Sequence, residues 1–173
     1  MGILNNNPKK EPMHYGEAYS IWSYLLATKG RLSAYQTYIN HTGDKELKNL
    51  IENMIQNVMK PEIEQTEDLL KENGIGLPPG PPEKPKASLE DIPAGARIED
   101  SEIALTIALD TAAGLIACSQ IMAMSIREDI AMMFGKFHMT KAQHGANLLR
   151  LNKEKGWLIA PPLHQRTPEF AGV

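Results

Sequence analysis

Cysteine is nearly missing from this chain: Cys118 stands alone among 173 residues. One thiol excludes an internal disulfide and fits a reducing compartment. An excess of positive charge is missing too. Eighteen Lys and Arg face 21 Asp and Glu, for a net charge of -3, which argues against nucleic acid as a partner. No run reaches the length and purity of a membrane span, so no membrane partner is expected. The opening MGILNNNPKKEP lacks the apolar core of a signal peptide, and Asn6 stands where a myristoylation signal needs Ser or Thr. Neither a Gly-rich phosphate loop nor a nucleophile elbow occurs. The expectation is one domain over 1–173, soluble and intracellular.

What is present is helical periodicity. Ala18, Ile21, Leu25, Leu32, Tyr35 and Ile39 recur along one stripe, predicting a helix over about 14–41. Gly43 and Asp44 supply a C-cap and the next N-cap. A second helix, about 44–74, carries Leu47, Ile51, Met54, Ile55, Val58, Ile63 and Leu70, with a kink expected near Asn57 because of Pro61. Residues 75–99 contain six prolines and predict an extended crossover anchored by Leu77, Leu89, Ile92 and Ile98, with a disordered linker as the alternative. Asp100 and Ser101 then offer caps for a third helix over 101–122, in which Asp110 is the only charge between Ile103 and Ile126. Ser125 and Glu128 read as a capping box opening a fourth helix, 125–156, that turns Ile130, Met133, Phe137, Leu148 and Leu151 inward. In the tail, 157–173, Trp157 to Ile159 are expected to fold back. Two short connections and one long central one give an all-α four-helix bundle with a central crossover, the ferritin-like arrangement.

The stretches MHYGEAYSIWSYLLATKG, NGIGLPPGPPEKP and ACSQIMAMSIREDIAMMFGKFHMTKAQHGANLLRLNKEKGWLIAPP, with the PLH tail, resemble a family of endospore-forming bacteria. It is a ferritin-like domain of unknown function bearing a spore-coat label (coat protein F-like). The resemblance runs from about Met13 to His164, implies a fold and a setting in the cytoplasm or spore coat, and carries over no catalytic residue. Some members hold two copies of the domain.

A di-metal bundle needs Glu from two helices and Glu-x-x-His from two others. Only Glu11 to His14 shows that spacing, and Pro12, suited to the first helical position, would leave Glu11 outside as a cap. His14 and Glu17 lie within the helix, and the crossover topology would bring them near Asp68 and Glu128. These four are the weak metal candidates, weighed against a solvated polar end; no cofactor is expected. His144 reads as a core histidine bonded to a neighbour, and Cys118 as a small buried hydrophobe. Asp110 reads either as an inward functional carboxylate or as the third helix's one wet position. A structural or assembly protein of the coat, without catalysis, is the expected function; an atypical ferritin-like metal-binding protein or oxidase is the alternative. The charge-poor third helix, with Ala108, Ala112, Ala113, Gly114 and Ala117, predicts a homodimer through it; other coat proteins are further expected partners.

Overall fold

The computed structural model describes residues 11–164; the readings made at Asn6 and at 165–173 lie outside them. The elements are α1 (Tyr15–His41), α2 (Lys45–Met54), a π-helical turn (Ile55–Met59), α3 (Lys60–Glu72), α4 (Asp100–Met124) and α5 (Glu128–Glu154). Counting α2 and α3 as one rod gives four helices, and the described residues contain no strand. The rod and α4 run parallel, opposite to α1 and α5, because the chain returns along the bundle between Ile75 and Glu99.

The helix ends depart from the local signals in instructive ways. α1 begins at Tyr15, not at Pro12: His14 is its N-cap, its Nδ1 accepting from the Gly16 N–H at 3.0 Å, and Glu17 completes a capping box. α1 ends on Thr42 rather than Gly43, whereas Asp44 caps α2 by accepting from Glu46 and Leu47. Near Asn57, where a kink is expected, the ladder widens by one residue. Lys60 N–H reaches the Ile55 carbonyl, and Pro61, which has no N–H to give, falls in the first turn of the resumed α-helix. α3 closes with Gly74 at φ 71°, as Ile75 N–H bonds the Leu70 carbonyl at 2.9 Å.

Residues 75–99 lie along α1 as an ordered strap with two 3₁₀ turns, Leu89–Asp91 and Ala94–Ala96. Trp22, Lys29, Gln36 and Asn40, at near-heptad spacing on α1, hold it through the carbonyls of Gly76, Pro78 and Pro85 and the N–H groups of Lys84 and Ala87.

The α4–α5 turn differs most from expectation. α4 continues to Met124, and Ser125 ends it, its hydroxyl donating to the Ile121 carbonyl at 2.7 Å. α5 starts at Glu128, so Ser125 opens nothing. The turn is held from α1: the fully buried Glu17 carboxylate accepts from Ile126 N at 2.9 Å and Arg127 N at 3.1 Å. Asp100 acts likewise at the other end, accepting from Gly43 N and Asp44 N, while Glu99 caps α4. Each end of the bundle is thus tied by a carboxylate from a different helix. Among the described tail residues Trp157 packs inward, whereas Leu158 and Ile159 stay exposed, so of the expected fold-back 157–159 one residue takes part.

The core is in two parts. One apolar cluster gathers Tyr35, Leu47, Ile51, Ile103, Ile107 and Leu148, and the other Ile21, Leu25, Leu70, Ile121, Phe134 and Phe137. A polar layer lies between them.

Candidate polar centre of the bundle

The layer forms where the inner stripes of the helices pass through polar residues without leaving the core. On α1 the stripe Ile21, Tyr24, Thr28, Arg31, Tyr35 keeps a three-four spacing; on the rod it reads Met59, Glu62, Thr66, Leu69; on α5, Phe134, Phe137, Lys141, Leu148. Three-four spacing keeps residues on one helix face whatever their chemistry. Glu62 and Lys141 are therefore carried inward with their apolar neighbours. Each was missed in the sequence because a charge is read as solvated; the unbroken spacing was the available signal.

The two form a close ion pair, with Glu62 2 % and Lys141 13 % exposed. Glu62 Oε2 also accepts from the Tyr24 hydroxyl at 2.8 Å, and Cys118 Sγ donates to that hydroxyl at 3.6 Å. Lys141 Nζ lies 5.6 Å from the centroid of the Tyr24 ring, within cation–π range. Gly114 makes room for the lysine stem: a Cβ there would meet Lys141 Cε at 3.0 Å. Beside the pair, Arg31 Nε approaches Asp110 Oδ1 at 3.4 Å, bordering a cavity of about 30 Å³ shared with Thr28 and Thr111, room for one or two waters. Asp110 is thus half-buried, and its partner is a cation of α1.

Burial sets the proton affinities. It pushes the Glu62 carboxyl up, against the opposing pull of Lys141 and the Tyr24 hydroxyl. It lifts the Tyr24 phenol far above its ordinary range, with the Glu62 charge adding to the effect, and raises the Cys118 thiol. A thiol and phenol held protonated are poor nucleophiles, so this centre favours cohesion over covalent chemistry. His144, half-buried on α5, is held below its ordinary value by burial and by Lys141.

The four metal candidates are not brought together as ligands. His14 caps α1, with Nε2 3.1 Å from the Met124 carbonyl; since Nδ1 accepts backbone N–H bonds, Nε2 carries the proton and donates. Glu17 is occupied by three backbone N–H groups. Asp68 is exposed and lies 3.8 Å from Lys71, and Glu128 is exposed at the start of α5. The cation at this end is a side chain, Arg127, 1 % exposed, which donates to Asp129, to Asn73 Oδ1 at 2.8 Å and to the Glu11 carbonyl. Among the described residues no group of three or more His, Cys, Asp or Glu is placed to hold a metal ion.

Comparison with known proteins finds relatives along nearly the whole chain. A solved structure from Bacillus halodurans C-125, named a "putative spore coat protein", is 57 % identical, superposes with a TM-score of 0.90, and covers 92 % of this chain and 99 % of its own. The uncharacterised protein YvdQ of Bacillus subtilis strain 168 is 55 % identical over 164 residues, 95 % of this chain and 96 % of that one. The profile of a family described as protein of unknown function, DUF3231, matches residues 1–169, and the chain belongs to that family.

Proposed function

We propose that this protein is a non-catalytic structural component of the spore coat, a helical building block that packs with copies of itself and with other coat proteins. The supporting observation is the relative of known structure, 57 % identical and bearing a spore-coat name. The interior is consistent with such a role. Glu62, Lys141 and Tyr24 satisfy one another, and the cavity beside them, about 30 Å³, is far below the few hundred Å³ of an ordinary substrate pocket. In the metal-dependent alternative a metal at the centre would meet two carboxylates, Glu62 and Asp110, already paired with Lys141 and Arg31. The test is a fluorescent fusion expressed from its own promoter in a sporulating Bacillus, combined with fractionation of purified spores. The reading expects fluorescence at the spore surface and the chain in the alkali- or detergent-extracted coat. Recovery only from vegetative cytosol overturns it.

A further inference from the structure

The outer face of α4 carries a second seam. Its inner face, through Ile103, Ile107, Gly114, Cys118 and Ile121, packs into the bundle. On the opposite side Leu105, Leu109, Ala112, Ile116, Ser119 and Ala123 follow one another at steps of four and three, the spacing of a helix that meets another helix. No helix among the described residues covers that side: Leu105 is 46 %, Leu109 64 % and Ile116 60 % exposed.

We propose that the occupant is α4 of a second copy, running antiparallel about a two-fold axis near residue 114. The seam is self-complementary under that operation. Leu105 faces Ala123 of the other copy, Leu109 faces Ser119, and Ala112 faces Ile116, so every layer sets one large side chain against one small one. Antiparallel coils pair their two seam positions in this crossed way, and a two-fold interface presents the same patch twice. Charge permits it, because Asp110, the one acid between Ile103 and Ile126, pairs with Arg31 at 3.4 Å. The flank supplies area. A groove of about 620 Å³ between α1 and α4, lined by Tyr19, Ser23, Ala27, Ala117, Gln120 and Met124, adjoins the second half of the seam, where the leucine-bearing half of the other α4 lies. A standard specific interface buries about 800 Å² per copy, so the groove walls are needed beside the seam. The sequence pointed to α4 through its small residues, but these divide. Ala112 and Ala113 face outward, Gly114 faces Lys141, and Ala117 lines the groove. The inference needs only this geometry and holds with or without a role in the coat.

A lipid bilayer is the competing cover. Contrary to the expectation from the sequence, Ala94–Met124 is long and apolar enough to cross a membrane by length and composition, with 28 % of its most apolar window buried.

Sedimentation of the full chain at 1–100 µM, with anionic phosphatidylcholine/phosphatidylglycerol vesicles as a parallel arm, tests the proposal. The expected species is a dimer of twice 19.2 kDa that does not float with the vesicles. Leu109→Glu is expected to weaken dimerisation roughly a hundredfold with helix content unchanged, by burying a charge at a central contact. Leu109→Glu with Ser119→Lys restores it, since those positions face each other across the axis. Because a charged variant can fail to fold, the register is also read by oxidation. Ala112→Cys with Ile116→Cys gives a covalent dimer, whereas Ala112→Cys alone does not. A monomer at 100 µM, a dimer indifferent to Leu109→Glu, self-linking of the single cysteine, or flotation with vesicles overturns the proposal.

Discussion

Glu62 and Lys141 meet in the middle of the bundle, where a charge costs much to desolvate and is tolerated because its partner is fixed by packing. Removing one partner leaves the other uncompensated, so Lys141→Met should destabilise by about 3–5 kcal/mol in urea titration. Glu62→Leu with Lys141→Met should recover most of that loss. A double variant no more stable than the single one would mean that Lys141 acts through its stem, packed at Gly114, and not through its charge. Acid acts elsewhere. Asp129, Asp44 and Glu67 are held below their ordinary values by hydrogen bonds from Arg127, Lys155 and Lys29. Carboxyls that ionise more easily folded than unfolded add stability that is complete above their unfolded values, 3.8 for Asp and 4.5 for Glu, and is lost as pH falls through the folded ones. Glu62 has the opposite sign: its folded value is raised, so its contribution is complete below 4.5 and is lost as pH rises through that raised value. The urea midpoint should therefore fall on acidification below about pH 4.5. Asp129→Asn should flatten that limb, because its partner Arg127 is buried and lacks solvent to replace it; an unchanged limb refutes this.

Helix ends and the strap are where single substitutions should act locally. Glu17→Ala strips two backbone N–H groups of the α4–α5 turn, and Asp100→Ala strips two of the α1–α2 turn. Each should cost about 2 kcal/mol, the scale of a lost cap. Amide exchange should quicken at Ile126 and Arg127 in the first variant and at Gly43 and Asp44 in the second; uniform quickening in both would show that the turns do not open independently. The strap depends on α1. Asn40→Ala removes an acceptor for Ala87 and a donor to Pro85. Limited proteolysis should then cut between residues 83 and 88 several-fold faster, while the melting temperature moves by only a few degrees. Unchanged cleavage would place the anchoring in Trp22 and Lys29 instead.

Across the whole molecule, self-association through α4 would make the melting temperature rise with protein concentration, since only folded chains pair; scanning calorimetry at 5 and 200 µM reads this directly, and identical transitions contradict it. The sequence by itself determined the helices and their number, because the period of apolar residues decides which backbone can bury them, and a proline-rich run interrupts that period. It also determined caps that act within a few residues, such as Asp44. It did not determine the polar centre. Glu62 and Lys141 are 79 positions apart, and neither has reason to be buried until the bundle sets them face to face. Nor did it show that Glu17 would close a turn 109 residues away, or that Arg127 would take the place of a cation at that end. Ser125 satisfied the local rule for a helix start and was used to end one, its hydroxyl turned to the Ile121 carbonyl while Glu17 took the N–H groups of Ile126 and Arg127. Those choices belong to the tertiary structure. The energy of a buried ion pair or a distant cap exists only once packing has excluded water from both partners.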